Sequence, residues 1–405
     1  MSDTLRTAPG NAAAPRPARG LWSAPVLALT ALAFVVSTTE FMAVGVVPQI
    51  TDDLRVSTGA AGLVSSLYAT GVAVTTLPVA MTVMRHRPRV LLPAGLGLFV
   101  VAHAVMALAP TLPVLIAGRV LASTVHSLAL GCALSAASAV VAPQRQGAAV
   151  GMVLGGLSGA MFLGAPLGTA LGDLVGWRVS FALEGAAALL VLLAILRTLP
   201  DLPGQGVTDR RALGVLGRPQ VLGPLVVTFT IMMANSVPFT YLGSYLTDVT
   251  GVGADGVAAG LAVFGVAAFA GNAAGGLVAD RAPRRGAVAG ATVMGVAVAL
   301  FGIAGAHPWS AYALIAFWAF GLQSIVPIVT HRAVAAGGGL AAVVGPGTAN
   351  AGIAVGGLAG SAVVGLAGLR TTPWVAAVVA LLLAAAMSLA ALWSRTDRTG
   401  TASSD

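Results

Sequence analysis

Four ionisable side chains stand where the surrounding sequence is apolar: Glu40, Arg119, His126 and Glu184. Glu40 closes the stretch Ser37-Thr38-Thr39-Glu40, inside an apolar run that begins near Leu21 and reaches Pro48. A charge at the centre of a bilayer costs ~2.5–3.5 kcal/mol on insertion scales, so it is rarely kept there without a use. For a carboxyl group in such surroundings the cheapest escape is to bind a proton. An acid that takes up and gives back a proton inside a membrane is what a proton-coupled transport step requires. Arg119 supplies a complementary charge, since a guanidinium within a membrane needs a partner. Burial and a nearby guanidinium act on a carboxyl group in opposite senses, which is how such a group comes to exchange protons near cellular pH. His126 follows Arg119 by two helical turns and shares its helix face. Its imidazole titrates near neutrality and can relay protons. Glu184 is a second acid of this kind, read as a further protonation site, a counter-charge for Arg119 or an interfacial residue.

Plainer readings stand beside these. Glu40 could snorkel to an interface, Arg119 could clamp carbonyls, and His126 and His103 could be hydrogen-bonded packing residues. His86, His307 and His331 fall at the edges of apolar runs, and no His pair has metal-ligand spacing, so no metal is expected. A second group of residues suits solute binding. Asn235, Phe239, Tyr241 and Tyr245 form an amphipathic aromatic stretch, and with Phe41 and Tyr68 they could line a cavity for an aromatic, mildly polar solute. Aromatic side chains near an interface serve equally as anchors.

The elements that must position these groups follow from composition. The chain has 405 residues, is 57% hydrophobic and only 8% charged, and has a mean hydropathy of +0.93. Soluble domains carry ~25% charged residues, so the sequence is that of an integral membrane protein. All 21 basic residues are arginine. Without lysine there is no Walker A loop and no lysine Schiff base. Cys132 is the single cysteine, which excludes an intramolecular disulfide and suits a small buried hydrophobe.

Twelve apolar runs of spanning length are expected at 22–47, 59–83, 90–109, 112–140, 147–172, 178–197, 220–246, 254–279, 287–306, 309–330, 342–368 and 373–394. The arginines between them set orientation. With a cytoplasmic amino terminus, seventeen arginines face the cytoplasm and three, Arg55, Arg178 and Arg370, face outward, with Arg119 inside a span. That bias puts both termini in the cytoplasm and makes the net charge of +8 a topology signal rather than a nucleic-acid footprint. The polar connection 198–218 divides the chain into a disordered tail (1–20), a six-helix bundle (21–197), the linker, a second six-helix bundle (219–394) and a carboxy-terminal tail (395–405). Repetition follows the same division. Arg85, Arg87 and Arg89 follow span two, while Asp280, Arg281, Arg284 and Arg285 follow span eight; spans five and eleven are both glycine-rich. Parallel six-span halves suit a rocking transporter whose site lies between them at mid-membrane.

At these residues the chain resembles the major facilitator superfamily, and within it the twelve-span drug:proton antiporters. The resemblance rests on Thr38-Thr39-Glu40-Phe41 with Pro48, Gly118-Arg119-Val120-Leu121 with His126, and Gly164-Ala165-Pro166-Leu167-Gly168-Thr169. Gly176-Trp177-Arg178 and the segment from Asp280 to Arg285 complete it. It is similar to the branch that includes arabinose-type efflux permeases and actinobacterial chloramphenicol exporters. The resemblance implies an all-α membrane fold of two pseudo-symmetric six-helix bundles, no cofactor beyond the coupling proton, and no enzymatic activity. It also implies gating roles for the arginine loops and for Gly164, Pro166 and Gly168. The first loop departs from the family pattern, keeping only Arg85, Arg87 and Arg89, and in the second Ala282-Pro283 replaces a glycine.

The expectation is a monomeric, multi-pass, proton-coupled exporter of a hydrophobic or amphiphilic small molecule in the cell membrane. Its partners would be that molecule, protons and lipid, with no nucleic acid. Efflux of a sugar, nucleoside or amino-acid-like metabolite is the alternative. Two other classes fit less well. Gly156-Leu157-Ser158-Gly159 matches the nucleophile turn of intramembrane serine proteases, and a sensor or scaffold would not need two repeats around a titratable acid.

Overall fold

A computed structural model describes residues 20–79, 81, 85–204, 210–279 and 281–400. Asp280 lies outside them, as do residues 1–19 and 401–405 of the two expected tails and 205–209 of the linker. Twelve α-helices are described: α1 (Ala24–Leu54), α2 (Thr58–Pro78), α3 (Pro88–Ala107), α4 (Leu112–Val140), α5 (Gln146–Val175), α6 (Trp177–Thr198), α7 (Pro219–Phe239), α8 (Leu242–Asp248), α9 (Ala254–Ala279), α10 (Pro283–Ala304), α11 (Pro308–Ala367) and α12 (Thr372–Gly400). In lipid every backbone N–H and C=O must be satisfied within the chain, which is why uncharged runs of this length become helices. Proline stands at the first or second position of α1, α3, α4, α7, α10 and α11. There its missing N–H would have had no intrahelical partner anyway.

Several boundaries differ from expectation, among them the last, where α12 continues to Gly400 into the expected tail 395–405. The first helix continues past Pro48 to Leu54, where Arg55 caps it in the left-handed region at φ 53°. An internal proline removes one helical hydrogen bond but does not oblige the helix to stop. The seventh run breaks into α7 and α8 just after Pro238. The tenth and eleventh runs share one helical element, α11, whose apolar stretches are Pro308–Gly337 and Val344–Ala367. Packing nevertheless makes these stretches run in opposite directions. Gly271 and Gly275 of α9 meet Phe320 and Ser324 in order, whereas Gly352, Gly356 and Gly360 follow Phe229, Met233 and Val237 up α7. Because α9 returns from the end at which α7 finishes, the chain must reverse between the two stretches.

Among the described residues, eleven stretches are long and apolar enough to cross a membrane, and α5 adds Ala148–Leu157 and Leu163–Val175 within its 30 residues. Phe269, Phe317 and Leu382 are exposed on the outside of the bundle, as side chains facing lipid would be.

The halves repeat in three dimensions. α5 lies along α1 as the second stretch of α11 lies along α7; α3 packs on α6 as α10 packs on α12; α2 meets α11 as α9 meets α5. The corners match too. Gly176 between α5 and α6 has φ 83°, and Gly368 between α11 and α12 has φ 82°, conformations a side chain rarely adopts. One apolar core is drawn from residues 26–199 and a second mainly from residues 231–384. Phe41 and Ala165 of the first half pack into the second core.

Candidate functional site

Glu40 lies at the middle of α1, and its side chain is 13% exposed. It points toward α4, where its Oε2 is 3.9 Å from Nε2 of His126. The other imidazole nitrogen, Nδ1, is 2.9 Å from the Tyr68 hydroxyl on α2, which also lies 3.5 Å from the Val36 carbonyl. Over the Tyr68 ring sits Arg119, fully buried, with its guanidinium carbon 4.1 Å from the ring centroid. Arg119 donates from Nη1 to the Thr39 carbonyl at 2.6 Å and from Nε to the Val64 carbonyl at 3.1 Å. No carboxylate pairs directly with it among the described residues; Glu40 and Glu184 act on it through space. Its Nη2 has no hydrogen-bond partner among them. Arg119 thus clamps carbonyls of α1 and α2, which is the plainer of its two readings, while remaining the one cation of the polar cluster.

The cluster continues on the far side of Thr39, whose hydroxyl is 2.7 Å from Nε2 of His103 on α3. The same nitrogen is 3.3 Å from Oε2 of Glu184 on α6. His103 is fully buried and, like His126, is hydrogen-bonded, which is the packing role the sequence leaves open for both. His103 lies four residues from the end of α3 and Glu184 seven from the start of α6. Antiparallel neighbours bring such positions to one depth.

Glu40, Arg119, His126 and Glu184 therefore join one hydrogen-bonded and electrostatic network with Tyr68, Thr39 and His103, built from α1, α2, α3, α4 and α6. A network of this kind transmits a change of charge at one member to the others. Phe41, the next residue after Glu40, packs against the second core.

The six expected cavity residues are not brought together. Tyr68 belongs to the network. Asn235 accepts a hydrogen bond from Trp318 Nε1 at 3.0 Å. Phe239 stacks at 4.6 Å on Phe264, and Tyr245 at 4.7 Å on Phe301, inside the second half. Tyr241, fully buried, donates to the Gly59 carbonyl of α2 at 3.4 Å and so bridges the halves. An open depression of about 480 Å³ lies elsewhere, lined by Gln220, Ala279, Pro283, His331 and Arg332.

The expected gating residues divide as well. Gly164 and Gly168 face α1, where an added Cβ would stand 2.9 Å from Phe41 Cβ and 2.3 Å from the Met42 carbonyl oxygen; Pro166 lies between them inside α5. Arg85, Arg87 and Arg89 are exposed, and Arg87 pairs with Asp201 of the linker at 2.5 Å. Arg281, Arg284 and Arg285 are exposed, and Arg281 bonds the Leu277 carbonyl at 3.0 Å. At the opposite face Arg178 pairs with Asp53, bonds the Ala109 carbonyl at 3.0 Å and stacks on Trp177 at 4.2 Å. Gly156 and Gly159 lie in the unbroken helix α5 rather than in a nucleophile turn.

The sequence pattern of the Major Facilitator Superfamily matches residues 29–345. A chloramphenicol resistance protein of Streptomyces lividans is 33% identical over 265 residues, 64% of this chain and 67% of that relative. The inner membrane transport protein YdhP of Escherichia coli (strain K12) is 32% identical over 369 residues, 88% of this chain and 93% of its own. In fold, the chain is similar to a bacterial homolog of the human lysosomal transporter Spinster in an inward-facing, occupied conformation, with a TM-score of 0.73 and 18% identity. That likeness covers 92% of this chain and 96% of the other.

Proposed function

The chain belongs to the major facilitator superfamily, a multi-pass membrane transporter rather than an enzyme, and from that premise we propose that it exports a hydrophobic or amphiphilic small molecule in exchange for protons. The observation that carries this reading is the Glu40 carboxyl, held at mid-helix 3.9 Å from His126, with the next residue, Phe41, packed against the second core. In the proposed cycle Glu40 takes a proton from outside while the cavity faces outward, and substrate leaves. With its carboxyl neutralised the site then reorients inward, Glu40 gives its proton to the cytoplasm through His126, and new substrate binds. Arg119, held by carbonyls, stays charged throughout and favours the return of the carboxylate.

One proton moving inward yields ~2.3 kcal/mol per 100 mV and ~1.4 kcal/mol per pH unit. With both present, ~3.7 kcal/mol sustains a gradient of several hundred-fold for a neutral solute. The 33% identity to a chloramphenicol resistance protein supports an antibiotic as substrate. The arginine distribution supports insertion in the cell membrane with both termini cytoplasmic. The test is chloramphenicol efflux from vesicles under an imposed proton gradient. Glu40→Gln should abolish gradient-driven efflux while insertion stays normal; unchanged pH-dependent efflux in that variant would falsify the role of Glu40. Chloramphenicol resistance unaltered by the wild-type chain, together with relief of toxicity from one polar metabolite, would favour metabolite export by the same fold.

A further inference from the structure

The His103–Glu184 contact fixes how many protons the pair holds. Nδ1 of His103 is 2.8 Å from the Phe99 carbonyl. A carbonyl only accepts, so Nδ1 carries a hydrogen. In a neutral imidazole Nε2 then has a bare lone pair, which the Thr39 hydroxyl can satisfy by donating across 2.7 Å. Glu184 Oε2 nevertheless stands 3.3 Å from the same nitrogen. An ionised carboxylate there would set lone pair against lone pair, with both side chains almost wholly buried. One more proton resolves this. It sits either on Nε2, giving imidazolium beside carboxylate, or on Glu184, giving a carboxylic acid that donates to imidazole. Both forms have no net charge.

We propose that the His103–Glu184 pair is a second proton site of this transporter, holding and exchanging a proton of its own within the first half. This deepens the proton-coupled reading and rests on it for its consequence in transport. When the proton leaves for solvent, the pair passes from neutral to a single negative charge on Glu184. Arg119 of α4 and Tyr68 of α2 feel that charge through space, and the Thr39 hydroxyl of α1 contacts the His103 end of the pair. Phe99 of α3 and Phe181 of α6 close the remaining sides with rings. Arg119 is the cation among them, and among the described residues neither its Nη2 nor the Oε1 of Glu184 has a hydrogen-bond partner. Thr39 joins Arg119 to the pair, since its carbonyl accepts from Arg119 while its hydroxyl contacts His103. The pair is thereby a positioning element for the segment of α1 that carries Glu40.

The experiment is infrared difference spectroscopy of the detergent-purified full chain between about pH 5 and about pH 10, in a Glu40→Gln background. It needs no substrate and has no Glu40, so its outcome is independent of the exporter reading. The expected result is a titrating band, either carboxylic C=O lost as carboxylate appears or imidazolium ring modes lost, that disappears when Glu184→Gln is added. Spectra identical with and without Glu184 across that range would overturn the proposal. Should Glu184→Gln fail to fold, Thr39→Val in the same background decides. Loss of one hydroxyl hydrogen bond at Nε2 should move the midpoint by about half to one pH unit, and an unmoved midpoint overturns the pair as the titrating site. In the otherwise native chain, Glu184→Gln should shift the pH profile of efflux without abolishing it.

Discussion

Tyr68 shows how much one hydroxyl contributes at this site. Its ring lies under the Arg119 guanidinium and its oxygen touches His126. Tyr68→Phe keeps the cation over an aromatic face and removes only the polar handle, a change of about 0.5–1.5 kcal/mol per hydrogen bond. The variant should fold, lose a few degrees of thermal stability, and show a shifted pH dependence of efflux, because His126 loses the group that fixes its orientation toward Glu40. Efflux measured against external pH in vesicles checks this; a profile superimposable on wild type would mean that Tyr68 is packing alone. Arg119 behaves differently from a surface cation. It satisfies two carbonyls and a ring face at once, a planar task that lysine cannot perform.

At the scale of the element, α1 and α5 set the architecture that holds Glu40. Their glycines let backbone meet backbone, as small residues do between membrane helices. Gly168→Ala would place a Cβ 2.3 Å from the Met42 carbonyl oxygen, two residues beyond Glu40. Overpacking of this kind costs ~1–3 kcal/mol, and it would also push α1 away from α5. Gly151 on the same helix has nothing within 4 Å of an added Cβ. Gly151→Ala should therefore be neutral or stabilising by up to ~1 kcal/mol. Thermal unfolding of the two purified variants distinguishes contact from composition: equal melting temperatures would show that the α1–α5 approach does not depend on its glycines.

Across the whole molecule, the seam between α2 and α11 is where the halves must separate if they rock. It is tight along its length: Ser361 donates to the Gly59 carbonyl at 2.9 Å, and added Cβ atoms at Gly357 and Gly347 would lie 3.0 Å from the Cβ atoms of Ser66 and Thr76. Disulfides join Cβ atoms ~3.5–4.5 Å apart, so Ser66→Cys with Gly357→Cys should cross-link on oxidation after a small shift. The native Cys132 is buried and would not compete. Oxidation should stop efflux and reduction should restore it; full efflux by a verified cross-linked chain would exclude separation of the halves at that level.

The sequence by itself determined the fold class, because continuous apolar runs of about 20 residues, in a chain with 8% charge, satisfy their backbone in lipid as helices. The repeated glycine-rich runs and the resemblance around Glu40, Arg119 and Gly164 to Gly168 made the family legible for the same reason, since local residue types limit how closely helices can pack. What tertiary structure alone decided was partnership. Nothing local to Arg119 says that carbonyls of Thr39 and Val64 hold it rather than Glu40. The pairing of His103 with Glu184 depends on α3 and α6 meeting antiparallel at matched depth, 81 residues apart in the chain. The scattering of Asn235, Phe239 and Tyr245 into the second core had no sequence signature either, because an aromatic face looks alike whether it lines a cavity or packs on Phe264 and Phe301. Periodicity fixes which residues share a helix face, and only the arrangement of neighbouring helices fixes what that face meets.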